Sequence, residues 1–424
     1  MYEQIVKPQK VVIPQAPCND GKDHFPNLPV TYEEYGSAKT QDGHDKPVVV
    51  ILPFFLGTAH AAGYTKMDEH KKLVGPGYWD AVIGAGAPFN TDTHRVISLG
   101  PLIDRSFGPM TQDPATKKPY GGKFPNFSFA DYAAIQYQAL QQLGVRHIDV
   151  LVGASMGSLQ AWHLAAHDMT FVSRMVVVVP GGLTLGDKTR VLARQWVEQL
   201  EQDPAWLKGD YYAQPKDHWR THALAKVLGE FWYRCQFPLN HAVLYDLDDV
   251  EWVEIAKSFA PLVPAELKSL DEVLAGLDAN APAVKRYRAQ VSALLGATDH
   301  NVLLWQLRTI LTYAPLSVMR QSNKADFALL GSGDRTDTVP FRSTLGSVLM
   351  LATETDDLLE VGRVDEAMTA AGMLGARLFK LSLADSSPHG AGLVGAGVAP
   401  LADRIRHFLT QGVPVAPVVP VAKL

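Results

Sequence analysis

The stretch IDVLVGASMGSLQAWHLAAH, residues 148–167, carries the signals that decide the fold of this chain. Its first five residues are mostly apolar and β-branched without a helical period, which predicts a buried strand. From Met156 onward the spacing of three and four residues predicts a helix, with one face formed by Leu159, Trp162, His163 and Ala166. Between strand and helix lies the pattern Gly-x-Ser-x-Gly, in which Gly153 and Gly157 flank Ser155.

A serine in this setting is typical of a catalytic nucleophile. Glycine is needed where the chain turns sharply or where another backbone approaches closely. A tight turn from strand to helix would expose Ser155 Oγ at the edge of the sheet, beside helix-terminal amides that can stabilise an oxyanion. The five letters alone occur often by chance, but the strand, turn and helix around them favour the nucleophile interpretation.

Composition narrows the function classes. The chain has 424 residues, of which 47% are hydrophobic and 20% charged, and a formal net charge of −5. These values predict one large globular domain, and the lack of a basic stripe argues against nucleic acid as a partner. No uninterrupted apolar run of about 18 residues exists, so we expect no membrane span and no membrane partner. The first residues lack the apolar centre of a signal peptide, which favours a cytoplasmic protein.

Metal, disulfide and dinucleotide sites are not expected either. Cys18 and Cys235 are far apart in sequence, which argues against a disulfide scaffold or a zinc site. No ligand cluster suggests a metal or a tightly held cofactor. Residues 390–395 match Gly-x-Gly-x-x-Gly, but too few residues follow to build a dinucleotide-binding half. The last residues, Ala422-Lys423-Leu424, are close to a peroxisomal address, which would matter only in a eukaryote.

Apolar runs alternate with amphipathic stretches along the chain, which predicts an α/β protein with a mostly parallel sheet flanked by helices. The predicted strands cover residues 47–55, 95–100, 148–152, 174–182, 346–357 and 376–390. Further helices are predicted at residues 128–144, with Ser128 as N-cap, and at residues 399–409.

Residues 183–338 differ in composition from the rest of the chain. They are rich in helix formers, charged residues and aromatic residues, and they contain no convincing buried strand. We interpret this segment as a helical lid inserted into a core made of residues 1–182 and 339–424. A lid would cover the carboxyl ends of the strands, where open α/β sheets bind their ligands. The alternative is a helical cover with a structural role only.

A serine nucleophile needs a histidine base, which is itself oriented by a carboxylate. In this kind of sheet the acid and the base follow the serine in the order Asp, His, in loops after later strands. His389 lies in SSPHGAG after the last predicted strand, and Asp356 ends the strand before it. We favour Asp356 over its neighbour Asp357, and Asp385 is a weaker rival.

An oxyanion hole needs two backbone donors. One is expected from Met156, the residue after the nucleophile. The other is expected from the loop PFFLGTAHAAG after the third strand, where Phe55 or Leu56 would supply it and Gly57 would let the chain turn.

Several stretches, in this order and spacing, resemble the homoserine O-acetyltransferase-like branch of the α/β-hydrolase superfamily. The resemblance extends over about residues 30–212 and, more loosely, over residues 347–409. It is carried by VTYEEYG, FFLGTAHAAG, GYWDAVIGAGAPFNTDTHRVISLG, SFGPMTQDPATKKPYGGKFP, GASMGSLQAW and ARQWVEQLEQDPAWLKGDYY.

The resemblance implies an α/β-hydrolase fold and a Ser-Asp-His enzyme. In the acetyltransferases, the serine takes an acetyl group from acetyl-CoA and passes it to the homoserine hydroxyl. Leu56 and Arg194 would contact the substrate, and Arg194 matches an arginine that holds the amino acid's carboxylate. The remaining assignments are a triad of Ser155, Asp356 and His389, with Phe55 and Met156 as oxyanion donors.

Two departures bear on the substrate. Gly390 follows His389 where the transferases have an aspartate that helps to bind the substrate ammonium group, and Ser158 replaces the second of two usual glycines. A homoserine site without that aspartate would leave a buried cation unpaired, at a cost of roughly a few kcal/mol.

We therefore favour hydrolysis of a small carboxylic ester, or acyl transfer to another acceptor, over homoserine acetylation. A non-catalytic relative that only binds a ligand is the alternative from another class. The expected partners are a small ester or an acyl donor and acceptor, and the chain could form a homodimer.

Overall fold

The protein is described by a computed structural model over residues 2, 4–219, 221–236, 280, 282–315, 317–318, 344–352, 356, 358–359, 377–382, 389 and 401–411. An eight-stranded sheet runs through this part of the chain, in the order β1-β2-β8-β3-β9-β10-β11-β12. Two further two-stranded sheets pair β4 with β5 and β6 with β7. The strands are β1 (Gln9–Cys18), β2 (Asp23–Tyr35), β3 (Val48–Leu52), β4 (Tyr64–Met67), β5 (Leu73–Pro76), β6 (Ile83–Gly84), β7 (Phe89–Asn90), β8 (Arg95–Leu99), β9 (Ile148–Ala154), β10 (Val172–Val178), β11 (Ser347–Ala352) and β12 (Arg377–Ser382).

The large sheet is mostly parallel, as the sequence predicts. Strands β8, β3, β9, β10, β11 and β12 run parallel to one another. All six of the predicted strands are present, but the last two are shorter than predicted, since β11 ends at Ala352 and β12 at Ser382 instead of at residues 357 and 390. Their carboxyl ends therefore meet at one edge of the sheet, where ligands of such folds bind.

The hairpin formed by β1 and β2 was not predicted from the sequence. These strands pair antiparallel at one edge of the sheet, and β2 also pairs antiparallel with β8. Both strands contain prolines, which argue against a strand when only the sequence is read. Pro14 and Pro17 are tolerated because β1 is the edge strand, and Pro26 and Pro29 because they precede the part of β2 that pairs with β8, Tyr32 to Tyr35.

Helices pack on both faces of the sheet, as the two buried clusters of apolar side chains on its opposite faces show. In the described residues they are α1 (Phe129–Gln142), α2 (Met156–His167), α3 (Asp187–Gln202), α4 (His222–Gln236), α5 (Pro282–Ala297), α6 (His300–Leu311) and α7 (Leu401–Gln411). Ser128 is the N-cap of α1, as predicted, and forms a capping box with Asp131. None of the described helices is long and apolar enough to cross a membrane.

The described part of the predicted lid, residues 183–338, is helical and includes α3 to α6 together with short 3₁₀ helices. Side chains of this segment belong to the same buried cluster as residues of the sheet and of α2; examples are Leu200, Leu228 and Leu303. The division into residues 1–182, 183–338 and 339–424 stays a prediction, and residues 237–279 and 319–343 lie outside the described part.

Helix α6 is attached to the core by polar contacts as well as by apolar packing. Three of its buried side chains donate hydrogen bonds to backbone carbonyls of the core: Trp305 Nε1 to Pro125 O at 2.9 Å, Gln306 Nε2 to Ile103 O at 2.9 Å and Thr309 Oγ1 to Phe127 O at 2.7 Å. A buried polar group is costly unless it is paired, so these contacts specify one position of α6 on the core.

Candidate active site

Ser155 lies in the turn between β9 and α2, with φ of 52° and ψ of −122°. A positive φ is rare for any residue other than glycine, and such a conformation costs on the order of 1–3 kcal/mol. The surrounding structure holds it, since the Ser155 amide donates to Val178 O at 3.0 Å. The residue is only 6% exposed, at the carboxyl edge of the sheet.

The two glycines of the motif are required by close backbone packing. A Cβ atom on Gly153 would lie 2.1 Å from the carbonyl oxygen of Gly157. A Cβ atom on Gly157 would lie 2.6 Å from the carbonyl oxygen of Leu52, at the end of β3. Helix α2 therefore begins closer to β9 and β3 than any side chain would allow, and this proximity brings Ser155 next to the loop after β3.

Ser158, which departs from the family pattern, is buried and fully paired. Its hydroxyl donates to the carbonyl oxygen of Ser155 at 2.6 Å and accepts from the Gly181 amide at 3.3 Å. The additional hydroxyl thus stabilises the strained turn and connects it to the segment that follows β10.

The structure brings Ser155, His389 and Asp356 together. His389 Nε2 lies 2.7 Å from Ser155 Oγ, and His389 Nδ1 lies 2.6 Å from Asp356 Oδ2. The side chains of His389 and Asp356 are almost inaccessible to solvent, at 0% and 2%. These contacts join residues that are 234 and 33 positions apart in the chain.

The carboxylate of Asp356 is oriented by backbone amides. Its Oδ1 atom accepts hydrogen bonds from the amides of Leu358 at 2.8 Å and Leu359 at 2.9 Å. The other oxygen is thereby directed at His389. The rival carboxylates, Asp357 and Asp385, lie outside the described residues.

Ser155 faces a small cavity of about 50 Å³, which the predicted oxyanion donors Phe55 and Met156 also line. Leu56 is not among the lining residues, and its amide donates to Gln306 Oε1 at 3.3 Å. The amide of Phe55 has no acceptor among the described residues. Of the two candidate donors in this loop, Phe55 is therefore the one left available to a ligand. Nothing in the sequence pattern pointed to Gln306.

The walls of the cavity are apolar. They are formed largely by side chains from α2, α3, α4 and α6, including Leu159, Leu192, Trp196, Phe231 and Leu307. Among the described residues, the one polar lining residue besides Ser155 is Thr189, whose hydroxyl donates to Leu358 O at 2.7 Å. No charged side chain is among the lining residues within the described part of the chain.

Arg194 does not line this cavity, and its side chain is exposed on α3. The neighbouring residue Ala193 lines the cavity instead. Gly390, where the family has an aspartate, lies outside the described residues. The described residues contain no group of three or more histidine, cysteine, aspartate or glutamate side chains that could hold a metal ion.

A partly buried ion pair lies behind the cavity wall. The indole Nε1 of Trp196 donates to Glu230 Oε2 at 2.8 Å. Glu230, which is 6% exposed, pairs through its other oxygen with Arg234 at 2.8 Å, one helical turn further along α4. A buried carboxylate is tolerated when it is paired and hydrogen-bonded in this way, so the ring of Trp196 is fixed.

The family described as alpha/beta hydrolase fold matches residues 76–288, about half of the chain. The chain belongs to the alpha/beta hydrolase fold family. The predicted fold class is thus confirmed. The match includes Ser155 of this alpha/beta hydrolase and ends before Asp356 and His389.

Curated relatives confirm the predicted resemblance to homoserine acyltransferases. The chain is 35% identical over 202 residues to a homoserine O-succinyltransferase of Magnetococcus marinus, covering 47% of this chain and 49% of the relative. It is 32% identical over 206 residues to a homoserine O-acetyltransferase of Methanocorpusculum labreanum, covering 48% and 40%. The matched region thus spans about half, or less, of each relative.

Among solved structures, the esterase E22 is similar over 96% of this chain and 100% of that one, with a TM-score of 0.70 and 24% identity. At 24% identity, this similarity shows a shared fold and nothing more specific.

Proposed function

We propose that this alpha/beta hydrolase is a serine enzyme that cleaves a small carboxylic ester through an acyl group held on Ser155. The single observation that carries the proposal is the pair of contacts of His389, at 2.7 Å to Ser155 Oγ and at 2.6 Å to Asp356 Oδ2. A hydroxyl becomes a good nucleophile when a base within hydrogen-bonding distance can take its proton.

In the first half of the reaction, His389 Nε2 takes the proton of Ser155 as Oγ attacks the ester carbonyl. Asp356 holds the proton on Nδ1 and stabilises the imidazolium that forms. The amides of Phe55 and Met156 would donate to the oxyanion, since both residues line the cavity in front of Ser155. The imidazolium then gives its proton to the departing alcohol.

In the second half, His389 takes a proton from the attacking molecule, which is water in a hydrolase and an alcohol in a transferase. Both reactions use the same three side chains, so the preference between them rests on the cavity. Its walls are apolar among the described residues, and Arg194 is exposed rather than directed into it. These features support a short apolar acyl group and a small uncharged acceptor.

The size of the cavity also favours a short acyl chain. A cavity must offer about 10–15 Å³ on this measure to hold one water molecule. At about 50 Å³, the cavity has room for a group of acetyl size. We therefore expect acetyl and propionyl esters to react faster than esters of longer acids.

The second candidate is a homoserine O-acetyltransferase that uses acetyl-CoA as the acyl donor. It is favoured by the similarity to a homoserine O-acetyltransferase and to a homoserine O-succinyltransferase. In neither case does the protein need a resident cofactor, since acetyl-CoA would be a substrate.

Two experiments test the proposal. A fluorophosphonate probe should label the wild-type protein and leave Ser155→Ala unlabelled. Equal labelling of both proteins, or of neither, would contradict an acyl-enzyme on Ser155. The protein should also release acetate from p-nitrophenyl acetate. With acetyl-CoA and homoserine together, formation of O-acetylhomoserine faster than ester hydrolysis would make the second candidate the function.

Three further predictions remain open to experiment. The homodimer can be checked by sedimentation equilibrium. The cytoplasmic location and the peroxisomal signal can be checked by localisation in the source organism. The residues of that signal, Ala422 to Leu424, lie outside the described part of the chain.

A further inference from the structure

The loop after β3 makes a tight turn in a strained conformation. The Gly57 amide donates to the carbonyl oxygen of Phe54 at 2.8 Å, which closes a four-residue β-turn. Leu56 is the third residue of this turn and has a φ of 59°. A positive φ at that position is the mark of a type II turn, where glycine or asparagine is preferred and leucine is disfavoured.

Type I and type II turns differ mainly in the orientation of their central peptide, here the one between Phe55 and Leu56. Rotation of this peptide would return Leu56 to a negative φ and turn its N–H away from its present direction. For a leucine the rotated form is the less strained of the two. Some interaction in the folded protein must therefore hold the central peptide in place.

Gln306 supplies that interaction. Its Oε1 atom accepts the hydrogen bond from the Leu56 amide at 3.3 Å, and its Nε2 donates to Ile103 O at 2.9 Å. The residue is only 3% exposed on α6, and its two bonds join the loop after β3 to the loop after β8. The bond to Ile103 orients the side-chain amide, so that its oxygen faces Leu56.

A different glutamine holds the beginning of the same loop. Gln160 Nε2, on α2, donates to the carbonyl oxygen of Pro53 at 2.8 Å. Gln136 Nε2 in turn donates to Gln160 Oε1 at 2.6 Å. This arrangement fixes where the loop leaves β3 but does not contact the turn itself, so the conformation at Leu56 depends on Gln306.

We infer that Gln306 is a positioning residue for the oxyanion donor, because it occupies the Leu56 amide and so holds the turn in which Phe55 lines the cavity, with its own amide free of any acceptor among the described residues. The inference rests on the proposed function, in which the Phe55 amide stabilises the oxyanion. It also assigns a role to α6, whose next residue, Leu307, lines the same cavity.

The test compares Gln306→Met with Thr309→Val in the full-length protein. Methionine keeps the length of the side chain and removes both hydrogen bonds. Thr309→Val removes a buried bond of the same helix, to Phe127 O at 2.7 Å, without contact with the turn. We expect kcat for p-nitrophenyl acetate to fall about 10- to 100-fold in Gln306→Met, less than the loss of a complete oxyanion donor, with KM nearly unchanged. Thr309→Val should keep the wild-type kcat.

Two readouts separate positioning from general destabilisation. A trifluoromethyl ketone, whose adduct with Ser155 carries an oxyanion, should bind Gln306→Met more weakly by the same factor as kcat/KM falls. Adding Leu56→Gly to Gln306→Met should restore part of kcat, because glycine adopts the positive φ without strain.

Equal kcat in Gln306→Met and Thr309→Val, or the absence of any rescue by Leu56→Gly, would overturn the inference. If Gln306→Met does not fold, Gln306→Asn replaces it, since its amide is one methylene too short to reach both partners. Failure of the wild-type protein to cleave esters, or to be labelled at Ser155, would instead contradict the proposed function. The wild-type assay gives that result before any variant is made.

Discussion

Two histidine–carboxylate pairs in this molecule have similar geometry, but only one of the two imidazoles can act as a base. His389 Nδ1 lies 2.6 Å from Asp356 Oδ2, and His60 Nδ1 lies 2.9 Å from Glu33 Oε2. Both carboxylates are buried, with side chains that are 2% exposed in Asp356 and 3% exposed in Glu33. The pairs differ at the other ring nitrogen, which decides what each imidazole can do.

His60 Nε2 lies 2.9 Å from the carbonyl oxygen of Gly75, which can only accept a hydrogen bond. Both nitrogens of His60 therefore face acceptors, and both bonds form only when the ring carries two protons. The hydrogen bond to Glu33 is the main cause that raises the pKa of His60, against the opposing effect of burial. The doubly protonated ring, which makes both bonds, has no free lone pair with which to act as a base.

His389 Nε2 faces the hydroxyl of Ser155, which can donate as well as accept. The neutral ring can therefore keep its Nδ1 proton toward Asp356 and accept the serine proton at Nε2. A carboxylate beside a histidine thus orients the ring but does not make it a base. The group at the second nitrogen decides that.

The largest expected effect comes from replacing each histidine by glutamine. His389→Gln should lower kcat/KM for p-nitrophenyl acetate by about 10⁴-fold or more, as the loss of a triad base does in serine hydrolases. His60→Gln should change kcat/KM by less than about threefold, because His60 holds no proton in the reaction. A comparable loss of kcat/KM in both variants would contradict the assignment of His389 as the base and His60 as a structural residue.

The carboxylates provide the next test. Asp356→Asn should lower kcat by about 10³- to 10⁴-fold, because the asparagine amide favours the wrong tautomer of His389. Glu33→Gln should leave kcat within about threefold, and its effect should fall on stability. Steady-state kinetics and thermal melting of the two variants measure both outcomes. A large drop in kcat for Glu33→Gln with an unchanged melting temperature would contradict this assignment.

A third histidine, the buried His163, is surrounded differently from His60 and His389. His163 is 1% exposed, stacks on Phe129 and accepts from the Ala314 amide at 3.1 Å. Burial lowers its pKa to about 3. As the pH falls below about 6.5, the unfolded chain binds a proton that the folded protein refuses, so stability decreases toward pH 3 by about 1.4 kcal/mol per pH unit.

His163→Gln should remove that part of the acid sensitivity. Urea unfolding between pH 4 and pH 7 would show a shallower dependence of the free energy of unfolding on pH than in the wild type. His300, whose pKa is lowered to about 4 by burial, retains its own contribution in both proteins. Equal slopes for variant and wild type would show that His163 is protonated in the folded state.

The smallest effect has the opposite sign. Because the folded protein raises the pKa of His60, the stabilisation from its pair with Glu33 is complete below the unfolded pKa of about 6.5 and is lost as the pH rises through the folded pKa. His60→Gln should therefore lose most stability near pH 6 and differ less from the wild type at pH 9. Thermal melting at the two pH values measures this, and a difference that grows with pH would have the wrong sign.

Much of the sheet could be predicted from the sequence. The parallel strands are continuous apolar runs, and the strand, serine turn and helix around Ser155 were located within a few residues. The antiparallel hairpin of β1 and β2 was not, because its prolines break the pattern and its pairing depends on an edge position.

Some residues of the candidate site could be predicted from the sequence, and others could not. Ser155, Asp356 and His389 were named from their positions after strands, because parallel strands bring their carboxyl ends to one edge. Gln306 and the exposure of Arg194 could not be foreseen. Both depend on how α3 and α6 are oriented against the core, and no local pattern encodes that orientation.

Sequence patterns alone were enough to locate the six parallel strands, the serine turn and the three side chains of the triad, since these follow from apolar periodicity, backbone freedom and residue type. Packing in three dimensions set which histidine meets a hydroxyl and which meets a carbonyl, and which amide beside Ser155 lacks an acceptor in the described part of the chain. The physical reason is that hydrogen-bond roles depend on distances of about 3 Å between residues remote in the chain. Such distances are set by packing.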